Sequence, residues 1–222
     1  MLLAIDTSTS QIGLALMDDS QVIAESIWRS HQHHTVELAP ALAELLKRTG
    51  VKVTDIQSLG VALGPGSFTS LRVGMAFIKG LALARHLPLI GISTLDVLAA
   101  AQPLSRMPLA AALPVGRSRI ALGWYKSGKS EWKSEGAAQI TTVDALASSI
   151  EKPTQVAGEF SAEERARLAR KKINVVLAPL SRCVRRPSIL AELAWARWRE
   201  GKVDETASLA PIYLHSGEPI SV

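Results

Sequence analysis

An α/β fold with two similarly ordered halves is what the pattern of this 222-residue chain predicts. Three observations carry that expectation. Residues 1–100 read as three short strands followed by alternating helices and strands. A similar order recurs beyond residue 104. Short apolar runs bounded by Gly, Pro and Ser alternate with stripes of helical period throughout.

Taken in order, residues 2–5 form a short apolar strand, and QIGLALM (11–17) and QVIAESIW (21–28) are two more, joined by DDSQ as a hairpin turn. Helical period begins after His34, where Val36, Leu38, Ala41, Leu42, Leu45 and Leu46 form a stripe that Gly50 ends. SLGVAL (58–63) reads as a buried strand, 68–86 as a long helix, LPLIGI (87–92) as a strand, and TLDVLAAA opens a further helix. In the second half LAAALPV and RIALGWYKSGKSEWKS are strands, the latter with a hairpin at 127–129. A helix near 142–150, the strand TQVAGE, a helix at 161–172, the strand INVVLA and a helix at 187–201 follow. Two lobes of this kind, divided as 1–103 and 104–222, suggest the duplicated actin-like (ASKHA, ribonuclease-H-like) architecture of actin-like ATPases and sugar kinases. That expectation rests on element order alone, because no repeat is visible residue by residue.

The apolar fraction of 47% fits a chain with a packed core, and no apolar run is long enough to span a bilayer. MLLAIDTST carries Asp6 and no basic residue, so it reads as a buried strand and not as a signal peptide. A single cysteine, Cys183, excludes an internal disulfide and a cysteine-built metal site, and together these features favour the cytoplasm. The net charge of +5 is unevenly spread. Residues 160–202 hold eleven Lys and Arg, Arg185 and Arg186 among them, against four Glu. Such a stretch could follow a phosphate backbone or simply form a solvated face.

An actin-like nucleotide site requires an acidic phosphate loop in each lobe and a Gly-rich adenosine loop. AIDTSTSQIG supplies half of the first, with Asp6 ending a strand and Thr7, Ser8 and Thr9 in the turn; the alternative is a polar turn satisfying its own backbone. The matching turn of the second half, LPVGRSRIALG, has Gly116, Arg117 and Ser118 but no carboxylate to hold a metal ion. No Gly-Gly dipeptide occurs anywhere. A working phosphotransferase is therefore not expected. His31, His33 and His34, with Glu37, crowd the start of the first helix and read as solvated side chains before they read as metal ligands; His86 and His215 are isolated. GPGSF lacks the G-x-S-x-G pattern of a nucleophile elbow.

GPGSFTSLRVGMAFIKGLA (64–82) starts as a phosphate-binding turn would, yet its content is that of a packing helix. Gly64, Pro65 and Gly66 suit a tight turn and Ser67 suits an N-cap. Phe68, Leu71, Met75, Ile78 and Ala82 form one stripe. Gly74 and Gly80 suggest close approach of another backbone, either the chain's own sheet or a partner's helix.

AIDTST, HTVELAP, GPGSFTSLRVGMAFIKGLA, GISTL and PIYL, in this order and spacing, resemble the bacterial TsaB (YeaZ) family across essentially the whole chain. The resemblance implies an actin-like fold and a cytoplasmic role in making N6-threonylcarbamoyladenosine in tRNAs that read codons beginning with A. It implies no catalysis by this chain. The transfer is made by the paralogue TsaD, a partner, assisted by the ATPase TsaE. TsaD-like proteins carry an H-x-x-x-H metal motif where this chain has Thr94 and Leu98, and neither side chain replaces an imidazole. The family usually has Asp-Ala-Arg where this chain has Val115-Gly116-Arg117, and Gly-Leu-Arg where it has Ser70-Leu71-Arg72.

The leading expectation is thus a non-catalytic subunit that scaffolds and activates a TsaD-type transferase with a TsaE-type ATPase. It has no catalytic residues, metal or cofactor of its own; ATP enters through the complex, tRNA is reached through it, and no membrane is involved. Asp6, Thr7, Ser8 and Thr9 are vestigial phosphate-loop candidates. The expected partner surface comprises Leu38, Leu42, Leu71, Arg72, Met75 and Ile78 on the first two helices, a surface that would also pair copies of the chain when the partner is absent. The rival expectations are a small-molecule kinase using Asp6 and, further off, a metallopeptidase-like protein.

Overall fold

The computed structural model describes residues 1–30, 34–170 and 174–214. The chain folds as two compact units, one formed by Met1–Val97 with Arg185–Ile212 and one built on Leu98–Val184.

The first unit opens with strands β1 (Leu2–Asp6), β2 (Gln11–Met17) and β3 (Val22–Arg29), then helix α1 (His34–Thr49), β4 (Ser58–Ala62), α2 (Phe68–Arg85), β5 (Leu89–Ile92) and the start of α3 (Thr94–Ala100). Its sheet has the order β3-β2-β1-β4-β5; β1–β2 and β2–β3 are antiparallel, and β1–β4 and β4–β5 are parallel. The second unit contains β6 (Leu109–Gly116), β7 (Arg119–Ser127), β8 (Trp132–Ser134), β9 (Gln139–Thr141), α4 (Val143–Ser149), β10 (Thr154–Gly158), α5 (Ala162–Ala169) and β11 (Val175–Leu177). Its sheet runs β11-β10-β6-β7-β8, with β9 also on β7. The chain then returns to the first unit as α6 (Pro187–Arg199).

β1 is buried along its whole length, and its pleat sends alternate side chains to two different layers. Leu3 and Ile5 join Leu38, Leu42 and Leu45 of α1 and Met75, Ile78 and Ala82 of α2. Leu2 and Ala4 join Leu190, Ala191 and Ala194 of α6. The face toward α6 is lined by small residues. A methyl group on Gly60 would lie 2.9 Å from Ala194 Cβ, and one on Gly13 would lie 3.0 Å from Pro187 Cγ. Side chains this small let α6 settle directly on the backbone of the sheet. Pro187 takes the first turn of that helix, where its missing N–H costs nothing.

In the second unit, Leu146 and Ile150 around α4 and Leu168 of α5 pack on Ala110, Ala112, Ile120, Leu122 and Val156. Thr142 caps α4 through Ala145 N (3.2 Å), and Ser161 and Glu164 form a capping box at α5. The β6–β7 hairpin turns through Arg117 and Ser118, both at positive φ.

The expected strands and helices all form. The short strand β9 is an addition, and α5 ends at Ala169, before the 172 expected from the sequence. The expected division at 103/104 is corrected: the chain crosses between Val97 and Leu98, and residues 185–212 belong to the first unit. The physical reason is the second apolar face of the first sheet, which α6 covers, joined there by Val97 of α3. Asp204 adds to the same unit, bridging Leu89 at the β5 edge and accepting Gly91 N at 2.7 Å.

Candidate functional site

The turn after β1 gathers the four residues singled out from the sequence. Asp6 is positioned by the last register pair of β1 with β2, opposite Gly13. Its Oδ1 accepts the Ser8 amide at 2.7 Å, so the turn closes on its own carboxylate. Its Oδ2 accepts Arg185 Nε at 2.8 Å, a pair whose side chains are only 2% (Asp6) and 1% (Arg185) exposed. Arg185 Nη2 also donates to Thr9 Oγ1 (3.0 Å) and to the Gln11 carbonyl (3.1 Å). Such a pair is held by geometry: both charges are desolvated, and removing either leaves the other buried alone.

The hydroxyls turn inward as well. Thr7 Oγ1 donates to the Ser70 carbonyl at 2.8 Å, and Ser8 Oγ shares a 2.8 Å hydrogen bond with Thr94 Oγ1. Thr94 Oγ1 also accepts the Gly64 amide at 2.9 Å, while the Thr94 amide donates to the Gly64 carbonyl at 2.8 Å. The Ser67 amide donates to the Ser8 carbonyl at 2.7 Å. The Gly-Pro-Gly turn, whose Gly64–Pro65 peptide is cis, therefore lies directly on the first turn. Its glycine content follows from that contact. A Cβ on Gly66 would stand 2.1 Å from the Ser8 carbonyl oxygen, and one on Gly74 would stand 2.1 Å from Thr7 Oγ1. Amides and hydroxyls that could face a phosphate face one another. With Arg185 against Asp6, these residues do not fit a metal-bridged phosphate.

The other candidates fall as follows. Gly116, Arg117 and Ser118 form an exposed hairpin turn in the second unit. Thr94 and Leu98, where the resemblance sets metal ligands, are both fully buried, and Thr94 is committed to Ser8 and Gly64. His34 is buried and its Nε2 donates to the Thr9 carbonyl at 3.0 Å. Glu37 accepts Trp28 Nε1 (2.8 Å) and Ser30 Oγ (3.2 Å), and His86 ends α2 in the left-handed conformation. His31, His33 and His215 lie outside the described residues. Among the described residues no group of three or more His, Cys, Asp or Glu is arranged to hold a metal ion.

Two expectations are corrected. Leu38, Leu42, Leu71, Met75 and Ile78 are buried in their own unit; all but Leu71 belong to the core between helices and sheet, and Leu71 sits beneath the Gly64 turn. The stripe of helical period marks the face toward the sheet. The outward faces of α1 and α2 carry Val36, Phe68 and Leu83, which are 66%, 51% and 64% exposed. Arg72 does lie outward, its guanidinium 3.6 Å above the Phe68 ring. Ser67 takes the N-cap position of α2, but its hydroxyl accepts from Ser70 Oγ (3.0 Å) and makes no cap bond. Within the basic stretch, four arginines have acidic partners. Arg185 pairs with Asp6, Arg186 with Glu25, Arg167 with Asp144 and Arg197 with Asp204. Arg185 is the residue that sequence reasoning missed as part of the site, since nothing in its spacing points to a partner 179 positions away.

Fold and site together define an actin-like α/β protein whose turn after β1 is closed on itself. The family model described as TsaD: tRNA N6-adenosine threonylcarbamoyltransferase matches residues 21–187. The chain belongs to that family. It is 41% identical to the tRNA threonylcarbamoyladenosine biosynthesis protein TsaB of Escherichia coli (strain K12) over 98 residues, 44% of this chain and 42% of that protein. The matched segments span less than half the length of that relative and of its Bacillus subtilis (strain 168) counterpart. In structure it is similar to YeaZ from Pseudomonas aeruginosa, with a TM-score of 0.79 and 24% identity over 96% of this chain and 99% of that one. The ROK hexokinase from Thermus thermophilus shares the fold class at a TM-score of 0.51 and 12% identity, over 90% of this chain and 99% of that one.

Proposed function

We propose that this chain is a non-catalytic subunit required for N6-threonylcarbamoyladenosine modification of tRNA, working in the cytoplasm. It docks and activates a TsaD-type transferase, served by a TsaE-type ATPase, and pairs with itself when that partner is absent. The observation that carries this reading is the closed turn: Asp6, Thr7, Ser8 and Thr9 spend their polar atoms on Arg185, Ser70, Thr94 and their own backbone. A turn so engaged offers nothing to a phosphate, which leaves the outer surface as the working part. The docking face is revised to the outward side of α1 and α2, where Val36, Phe68 with Arg72 stacked on it, and Leu83 put apolar surface in water.

Reconstitution tests it. The transferase and ATPase are supplied with tRNA, threonine, bicarbonate, ATP and the enzyme that makes the threonylcarbamoyl-adenylate, with or without this chain, and the modified nucleoside is quantified. Modification falls to near background without the chain. Phe68→Glu and Leu83→Glu, both at exposed positions, weaken transferase binding about tenfold or more while leaving the Tm of the isolated chain unchanged. Full-rate modification in the chain's absence would sink the proposal.

A further inference from the structure

We infer that the turn after β1 is an oxygen cradle for a divalent cation, and that Arg185 fills the cation's place. The guanidinium meets three oxygens of three kinds: the Asp6 carboxylate (2.8 Å), the Thr9 hydroxyl (3.0 Å) and the Gln11 carbonyl (3.1 Å). These are the hard donors that Mg²⁺, Mn²⁺ and Ca²⁺ take. All three are held in one short stretch, Asp6 to Gln11, at the end of β1 and the start of β2. A carboxylate buried as deeply as Asp6 requires a positive counterpart. None is available locally, because residues 2–28 contain no Lys or Arg.

The counterpart is delivered from far along the chain and held rigidly. Arg185 stands two residues before Pro187, which packs on Gly13, and α6 beyond it rests on Gly60. Arg186 fastens the same segment to Glu25. The carboxylate was therefore kept and its cation replaced by a tethered side chain. The inference deepens the reading of a subunit without catalysis of its own, but it is tested at the turn and not through the transferase, so either can fail alone.

The probe is Mn²⁺ alone, counted by electron paramagnetic resonance and followed by thermal unfolding of the full chain. The wild-type chain binds no Mn²⁺ at this turn, and its Tm is unmoved by the metal. Arg185→Ser lowers the Tm by roughly 10 °C. Mn²⁺ then binds one per chain and at saturating concentration restores about 5–10 °C of that loss. The double variant Asp6→Asn with Arg185→Ser takes up no metal. Arg185→Lys, whose ammonium can neutralise Asp6 but cannot span to Thr9 and Gln11 as well, keeps the fold and takes up Mn²⁺ at concentrations where the wild type takes up none. If Arg185→Ser does not fold, this lysine variant decides. A wild-type Mn²⁺ site that Asp6→Asn abolishes would show the cradle already open. Folded Arg185 variants that bind no more Mn²⁺ than wild type would show that there is no cradle. Either result overturns the inference.

Discussion

Gly74 and Gly80 stand six positions apart on α2 and invite opposite outcomes on substitution. At Gly74 a methyl group would collide with Thr7 Oγ1 at 2.1 Å, in a core that also holds Met75 and Ile78. Gly74→Ala should therefore cost about 2–3 kcal/mol through overpacking, read as a lower midpoint in urea. Around Gly80 nothing lies within 4 Å, and Gly80→Ala should add about 0.5–1 kcal/mol by helix propensity alone. The sequence treats the two alike, since a glycine in a helical run signals close approach without saying where. The same boundary runs through the site. Asp6, Thr7, Ser8 and Thr9 were legible as one polar turn because they are adjacent. Their partners Thr94 and Arg185 lie 86 and 179 or so residues away and carry no pattern that points back. The leucines at 38, 42 and 71 were legible as a stripe, but period alone does not say whether a stripe meets the chain's own sheet or another molecule.

Among the elements, α6 is fastened at its start by a residue of another strand. Glu25 of β3 accepts the Ser188 amide (3.0 Å) and hydroxyl (2.6 Å) and pairs with Arg186, taking the role an N-cap side chain would play. Burial works to raise the Glu25 pKa, but Arg186 and the two Ser188 donors outweigh it and hold the carboxyl below its ordinary 4.5. A lowered folded value means the contact contributes fully above the unfolded pKa and is lost as pH falls through the folded one. Glu25→Gln should cost about 1–2 kcal/mol at pH 7, discounted for the half-exposed Arg186, and the difference from wild type should shrink as pH drops below 4.5. The β6–β7 turn offers the reverse case. Arg117 and Ser118 hold positive φ values of 52° and 57°, so Asn and Gly at these positions should add about 1 kcal/mol to thermal stability. Helices and strands with full periods were readable in advance. The three-residue β9 was not, because its only support is pairing with β7.

For the whole molecule, the decisive feature is that the first unit is discontinuous in sequence. A chain ending at residue 103, where the sequence suggested a lobe boundary, would leave Leu2, Ala4, Ala15 and Ile90 facing water on one side of the sheet. Such a fragment should show weak near-ultraviolet circular dichroism and bind anilinonaphthalene sulfonate, while a fusion carrying 185–212 after a flexible linker should fold cooperatively. Element order made the two-lobed class legible, whereas a helix that follows the second sheet in sequence gives no sign that it packs on the first. This arrangement also sets a schedule. As the chain leaves the ribosome, the whole stretch Leu98–Val184 is made before the helix that seals the first sheet emerges. The nascent chain thus carries a sticky half-built layer while the second unit is synthesised, and a shortage of chaperones should reduce its yield more than that of a protein whose lobes close one after the other.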